Sequence, residues 1–555
     1  QSINRRYDIV YGDVMLNFNY NINRFDIAAT VGWTGRYENM NNMRVFTNGG
    51  LVTENWFDLN ASRYTPSSTL QRMELLKTGY MGTLSLGWDN YLFLELTGRQ
   101  ERSSTLKDQS FFYPSANLSF LFTQAFHMPS WWNYGKLRLS YGIVGNAPET
   151  YTANIVYEQG SDNGFTWNTI PSSWGNADIH PEKKYEYEIG LESKFLNNRL
   201  GIDISYYNNR VKDQILSTPQ PSTSGVKNVL MNVGEVANRG WDISISATPI
   251  LTRDFRWDLT ANYGVYKNKV VKLADGVPYL EILNSGGSGI KIQAVEGQPM
   301  GDIYAQVPQV NENGEYLVSD KGLYLNQTEL QKVGNINPAG VGGLFNSFSY
   351  KNVFLDFSID FRIGGDVINE MNQYATAVGL TPESLKYRDT EHGGLSYYYP
   401  GDNNSSGIPV QVDPSTGAGP NGEIIYHDGI ILPGVVASTG ERNTRIIPAG
   451  YYYNTTYNWG TEAEQLTYRH SVFDNSYVKL RELTIGYQFP EKMISKLGLG
   501  RLSVSVFGRN LFYFYKALKN YDAESSVGTS WANQATVGSS TTATRSFGVS
   551  LRASF

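Results

Sequence analysis

The chain contains no cysteine, which excludes disulfide frameworks, thiolate metal sites and cysteine nucleophiles. Histidine is scarce. His127, His180, His392, His427 and His470 lie far apart and show no metal-ligand spacing. Charged residues make up 18% of the chain, below the roughly 25% of ordinary globular proteins. The formal charge of −6 offers no basic face for a nucleic acid. No uninterrupted apolar run approaches the roughly 18 residues that a membrane-spanning helix needs. The opening residues Gln1 to Arg6 carry no apolar core of a signal peptide, so any such peptide is expected to be removed or to lie upstream. Gly-x-Ser-x-Gly, His-Glu-x-x-His and a phosphate loop are all missing. No catalytic residue, metal site or cofactor is therefore expected.

Aromatic residues fill the deficit, with 39 Tyr, 25 Phe and 11 Trp beside 55 Gly. Rings suit a pleated surface with one apolar face, and glycine suits turns and tight spots in a wall of strands. The last segment shows the period most clearly. Phe547, Val549, Leu551, Ala553 and Phe555 alternate with Ser546, Gly548, Ser550, Arg552 and Ser554. Successive side chains of a strand point to opposite faces, so this segment has one apolar and one polar surface. Val353 to Gly364, Trp241 to Thr248, Trp257 to Val265 and Leu200 to Tyr206 repeat the pattern. In Tyr185 to Phe195 the polar face carries Glu186, Glu188, Glu192 and Lys194. About fifteen such segments occur, most near the 9–11 residues of a tilted membrane strand.

A soluble sandwich also alternates, but two features favour a membrane wall. Apolar faces end in aromatics (Trp241, Trp257, Tyr263, Tyr206, Trp88, Tyr20, Phe555), like the interfacial girdles of outer-membrane barrels. Connections also alternate in length. Short turns join 14–20 to 24–36, 81–88 to 91–99, 115–122 to 137–144, 185–195 to 199–208, 241–248 to 256–266, 344–350 to 353–364 and 477–489 to 502–513. The links 37–75, 146–184, 267–343, 365–476 and 514–544 are long, and those near 104–111 and 217–232 are short. Outer-membrane barrels place short turns in the periplasm and long loops outside. The fold class expected is all-β: a transmembrane antiparallel barrel in the outer membrane, in contact with its lipid. One segment breaks step, because Leu483, Ile485 and Tyr487 keep the dyad while Val478 and Leu480 fall on the other face. A bulge, or a stretch above the membrane, accounts for that.

An odd strand count does not suit a closed barrel, and open edges would leave backbone groups unpaired in hydrocarbon. Residues 1–555 are therefore expected to be the C-terminal part of a longer polypeptide.

Several segments resemble SusC/RagA-type TonB-dependent transporters. Met231 to Asp242 resembles that family's N-x-G-x-x-x-N-x-G strand entry, and Leu137 to Asn146 resembles its LRxSYGxxGN. Phe112 to Ser119 resembles FPSxSxxW without the Trp, and Tyr185 to Tyr207 resembles its YExGLDxxFxxNR hairpin. Glu296 to Gly301, Tyr350 to Asn352, Val478 to Pro490 and Gly508 to Phe512 match further pieces in family order. The resemblance implies a barrel of about 22 strands, filled by an N-terminal plug preceded by a TonB box. On that pattern the plug, the box and the first strands are absent here. It also implies a SusD-like surface lipoprotein as lid, TonB engaged through the missing N-terminal region, and an oligosaccharide or peptide cargo. Pairing of two transporter–lipoprotein units is a further expectation. Glu186, Glu188, Asp356, Asp360 and Arg362 would face the lumen.

Substrate or lid contacts are expected in the external loops, at Trp167, Trp174, Tyr397, Tyr398, Tyr399, Tyr451, Tyr452, Tyr453 and Trp459. Such rings can stack on cargo, or they can pack the loops against one another. Trp131 and Trp132 fall in a short turn and read as interface anchors. The Gly-rich Ser285 to Gly289 lacks phosphate-loop spacing and reads as a loop. Asn311 to Gly314 resembles a calcium loop that has lost most of its acids. A plugless porin, an adhesion barrel and a barrel-embedded hydrolase are the competing readings.

Overall fold

The computed structural model describes residues 1–555 except 108–109, 163, 221, 286–288, 402–406, 459–466, 527, 529 and 539–542. Fifteen strands form one antiparallel sheet in chain order. They are β1 (Ser2–Ile22), β2 (Phe25–Leu51), β3 (Ser62–Trp88), β4 (Leu92–Ser103), β5 (Ser110–Phe120), β6 (Trp132–Asn146), β7 (Glu182–Phe195) and β8 (Leu200–Lys212). The series continues with β9 (Glu235–Leu251), β10 (Phe255–Lys272), β11 (Gly340–Tyr350), β12 (Val353–Ile363), β13 (Tyr477–Gln488), β14 (Arg501–Lys516) and β15 (Ser546–Ser554). Every alternating segment of the sequence is one of these strands. The chain divides into two compact units, Gln1–Ile245 with Lys267–Pro278, and Ser246–Tyr266 with Tyr279–Phe555.

In the first unit the tight turns follow from residues that tolerate a left-handed backbone. Asp89 and Asn90 both have positive φ (53° and 58°) between β3 and β4, the geometry a two-residue hairpin turn needs. Across β6 and β7, Leu139 pairs with Ile189 and Tyr141 with Tyr187. These four side chains are exposed, whereas Glu188 and Glu192 on the opposite face are half-buried. A water-soluble sheet would reverse that arrangement, and an apolar face this extensive requires a lipid neighbour.

The strands run further than alternation indicates. The stretch 37–75 reads as a loop, but β2 continues to Leu51 and β3 starts at Ser62, and the two pair almost to their ends. Beyond the membrane both faces meet water, so side chains such as Asn39, Asn41 and Asn42 need no alternation to stay in a strand.

In the second unit the expected irregularity is a bulge at Arg481. Ser358 pairs with Glu482 and Ile359 with Leu480, which skips Arg481. β14 skips it too, pairing Leu480 with Phe512 and Glu482 with Arg509. The extra residue restores the parity. Val478 and Leu480 stand opposite Phe361 and Ile359, on the face that carries Leu483 and Ile485. On that face Asn346 is 4% exposed, and its carbonyl oxygen accepts from the Trp257 indole at 3.1 Å, which removes the cost of a bare amide beneath lipid.

The long links of this unit have cores of their own. Residues 279–335 include a four-stranded sheet of Tyr279–Ser285, Ile290–Val295, Asp302–Ala305 and Gln331–Asn335. Ile290, Ile292 and Ile303 from it pack with Ile368, Val472 and Ala535 from two other links, so three loops share one apolar core.

Leu191 and Glu188 distinguish the two faces. Leu191→Arg should destabilise the full-length protein in lipid vesicles by about 2–4 kcal/mol, as expected near mid-membrane, while Glu188→Gln should change it by under about 1 kcal/mol. Urea unfolding in vesicles measures both, and equal penalties would contradict the assignment of faces.

Candidate functional site

The polar face carries a connected ladder of charges. In the first unit Arg138 of β6 reaches across β7 to Asp203 of β8, with Nη1 donating at 3.1 Å and Nη2 at 2.6 Å. Glu192 adds a carboxylate at 3.6 Å. Gly190 makes this crossing possible, since a Cβ there would lie 2.8 Å from the Arg138 Nη2. Glu186 sits in a second chain of contacts. Asn238 donates to Asn209 (2.9 Å), Asn209 donates to Glu186 (3.0 Å), and Lys184 pairs with Glu186 (2.7 Å). Glu188 lies on the same face, opposite Tyr207 and Ser140.

The asparagine motif gains a physical reason here. Asn232 accepts from the His180 amide (2.9 Å) and donates to the carbonyls of His180 (2.7 Å) and Asp213 (2.9 Å). It ties the ends of two external loops together, and Asn238 joins the strand below them to the charge ladder.

In the second unit Asp356 accepts from Ser347 at 2.6 Å. Asp360 receives Arg481, the bulge residue, which also forms a two-pronged contact with Glu524 at 2.8 and 2.6 Å. Lys479, 2% exposed, reaches the same Glu524 and lies 4.8 Å over the Tyr513 ring. Glu524 belongs to the loop between β14 and β15, so two wall cations pin an external loop. Burial opposes its ionisation, but hydrogen bonds from Arg481 and Lys479 prevail and hold its carboxyl at about 2. Arg362 turns to the loop base instead of standing open, donating to the carbonyls of Ile336 (3.0 Å) and Gly364 (3.2 Å).

The aromatic candidates divide by exposure. Tyr397 and Tyr399 are 1% and 5% exposed and pack with Tyr426 and Ile446, and the Tyr397 hydroxyl donates to Asp428 at 3.0 Å. Tyr398 between them is half-buried. Tyr453 is 4% exposed and donates to the Glu383 carbonyl at 2.9 Å. Tyr451 and Tyr452 pack on Leu323, Ile430, Leu432 and Ile447. Tyr397, Tyr399 and Tyr453 are thus engaged in the loops' own packing, which leaves no ring face for cargo in this arrangement. Trp174 is half-buried against Tyr157 at 5.7 Å. Trp167, opposite Gly160 in a short hairpin, remains 46% exposed. Trp459 lies outside the described residues, as do 286–288 of the Gly-rich stretch. Trp131 stacks on Phe195 at 6.0 Å and Trp132 packs against the same ring, tilted, at 5.4 Å.

Two arrangements invite a chemical reading. Ser396 and His427 are hydrogen-bonded at 2.8 Å, but Ser396 is 2% exposed, the described contacts give His427 no carboxylate, and the neighbouring Asp428 is engaged by Tyr397. A buried hydroxyl without an acid behind its base is a structural hydrogen bond, not a nucleophile. At 311–315 the Asn311 side-chain oxygen accepts from the amides of Asn313 (3.0 Å) and Glu315 (2.9 Å), a self-satisfied turn.

Sequence reasoning held Asn232 and Lys479 only as parts of family motifs, without a role, and missed Glu524. Only the broken dyad at 478–483 signalled Arg481, and nothing local reveals a carboxylate that becomes a partner through folding.

The family described as TonB dependent receptor-like, beta-barrel matches residues 1–303. TonB-dependent receptor P3 of Formosa agariphila is 24% identical over 81% of this chain and 42% of its own length. TonB-dependent receptor SusC of Bacteroides thetaiotaomicron is 30% identical over 41% of this chain and 24% of its own. The structure of the RagAB peptide transporter matches 92% of this chain and 53% of that chain, with a TM-score of 0.65 and 18% identity. The chain thus spans about half or less of the length of these relatives.

Two pH windows follow for the external loops. Burial, with Arg469 beside it, lowers His470 from 6.5 to about 4, and its ring stacks on Tyr457 at 4.4 Å. The ordered loop favours the neutral imidazole, so its stability should fall as pH drops from about 6.5 to 4. Lower hydrogen-exchange protection factors for Ala449–Tyr457 at pH 7 than at pH 4.5 would contradict this, and His470→Gln should flatten the response. The depressed Glu524 adds stability that is complete above its ordinary range and lost as pH falls toward about 2. Glu524→Gln should loosen the 517–545 loop at neutral pH by about 2–4 kcal/mol, because it leaves Lys479 buried without its carboxylate. Limited proteolysis of that loop reads the change.

Proposed function

The chain belongs to the TonB dependent receptor-like β-barrel family of the outer membrane, and on that premise we propose that it is the wall and external cap of an active importer for an oligomeric nutrient. The cargo class is a glycan or an oligopeptide. A SusD-like lipoprotein closes over the external loops, and TonB acts through a plug-bearing region ahead of residue 1. Pairing of two such complexes is part of the same reading. The family comprises transporters rather than enzymes.

The main support is the combination of an apolar exterior, a charged interior face and three long loops sharing one core. A passive pore has no use for loops that are packed together and pinned to the wall by Glu524. The name of the RagAB peptide transporter supports a peptide, and the resemblance of the motifs to SusC/RagA-type transporters keeps a glycan as the other class. Trp167 is the exposed ring best placed to meet cargo or lid, because its hairpin leaves it uncovered. Within its own unit, each of Glu186, Glu188, Asp356 and Asp360 is taken to face the lumen.

The test is uptake by cells carrying the full-length protein. Fluorescent malto-oligosaccharides and mixed tryptic peptides should enter only when TonB is active, and the protein should co-purify with a lipoprotein. Trp167→Ala should lower uptake several-fold without changing the amount in the membrane. Entry that persists without TonB would replace this reading with a passive barrel.

A further inference from the structure

In the first unit the loop ends of four neighbouring strands carry a belt of cations on the lipid-facing side. In β7 the outward order runs from Ile189 through Tyr187 and Tyr185 to Lys183, and in β8 from Ile204 through Tyr206 to Arg210 and Lys212. In β9 it runs from Ile243 through Trp241 to Arg239, and β10 presents Lys267 and Lys269. The faces are fixed by pairing. Lys183 stands opposite Lys212 and Tyr185 opposite Arg210, while Trp241 contacts Tyr206 at 4.9 Å. Thr248 donates to Asp258 across the β9–β10 hairpin, so these even-numbered side chains share the polar face and alternation puts Arg239, Lys267 and Lys269 on the other. Arg210, Lys212, Arg239, Lys267 and Lys269 are exposed.

The arrangement is unfavourable for a bare protein. Like charges directly opposite one another repel, and here this happens at Lys183/Lys212. The one carboxylate on this face, Glu235, is taken by Arg210 at 3.0 Å. Among the described residues the other five cations have no acid within ion-pair distance. Lys212 instead lies 5.9 Å over the Tyr185 ring. The level of the belt is also informative. Lys183 lies two residues past Tyr185, or about 7 Å above the aromatic girdle, where lipid tails end and headgroups begin. Cations in the hydrocarbon would cost about 2–4 kcal/mol each, but near the interface they cost little.

We infer that this belt binds the phosphate groups of a phosphorylated lipid of the outer leaflet, with the tails lying on Ile189, Ile204 and Ile243 and the phosphates between the opposed cations. The apolar strip continuous with the belt selects a lipid over a free anion. The inference rests on the membrane orientation alone, so it stands or falls independently of the import reading.

The test titrates full-length protein in neutral detergent with diphosphorylated lipid A, its dephosphorylated form and inorganic phosphate, reading the thermal unfolding midpoint and lipid retention by native mass spectrometry. Diphosphorylated lipid A should raise the midpoint in a salt-sensitive manner, and the other two should leave it unchanged. The quadruple variant K183Q/R239Q/K267Q/K269Q should bind it at least tenfold more weakly, since each charge near the surface contributes about fivefold. If that variant folds poorly, K267Q/K269Q alone should still weaken binding several-fold. An equal response to dephosphorylated lipid, a response to phosphate alone, or wild-type affinity in both variants would overturn the inference.

Discussion

Backbone hydrogen bonding in a medium without water governs this structure. Inside hydrocarbon each unpaired N–H or C=O costs several kcal/mol, and no helix of the described residues is long and apolar enough to cross a membrane. Pairing between strands is what remains, and fifteen strands in sequence order supply it. Every side chain then belongs to one of two faces, and its environment follows from its parity. Leu191, Val549 and Leu551 on the lipid face are exposed, and Glu188 and Glu192 on the other are half-buried.

Parity is a strict constraint, because a one-residue slip exchanges the faces. The bulge at Arg481 shows how one extra residue is handled. It keeps Val478 and Leu480 on the lipid side and gives the guanidinium to Asp360 and Glu524. The residue that corrects the register also anchors a loop. Glycine has a comparable role at Gly190, where an absent Cβ lets Arg138 cross a strand to meet Asp203.

The same two-face logic separates the charged groups by purpose. Charges on the polar face find partners in the chain, across strands in the Arg138–Asp203–Glu192 set and on a loop where Lys479 and Arg481 meet Glu524. On the lipid face, among the described residues, only Arg210 of the six cations at the loop ends of β7–β10 has an acid within ion-pair distance, Glu235. Tyrosines follow a similar division, with exposed rings such as Tyr187 at the interface and buried ones such as Tyr397 and Tyr453 inside the external loops.

The amino-acid sequence by itself determined the strands, their two faces, the tight turns and the place where the dyad breaks, because a strand's environment is written in a period of two that needs no distant partner. It also carried the family likeness in short motifs such as Asn232 to Gly240. It did not reveal that 37–75 is mostly strand, because outside the membrane both faces meet water and alternation ceases to report structure. Nor did it reveal which loop tyrosines are buried, or that Glu524 would join Lys479 and Arg481. Those outcomes depend on segments far apart in the chain meeting in space, and only the folded structure decides which of them do.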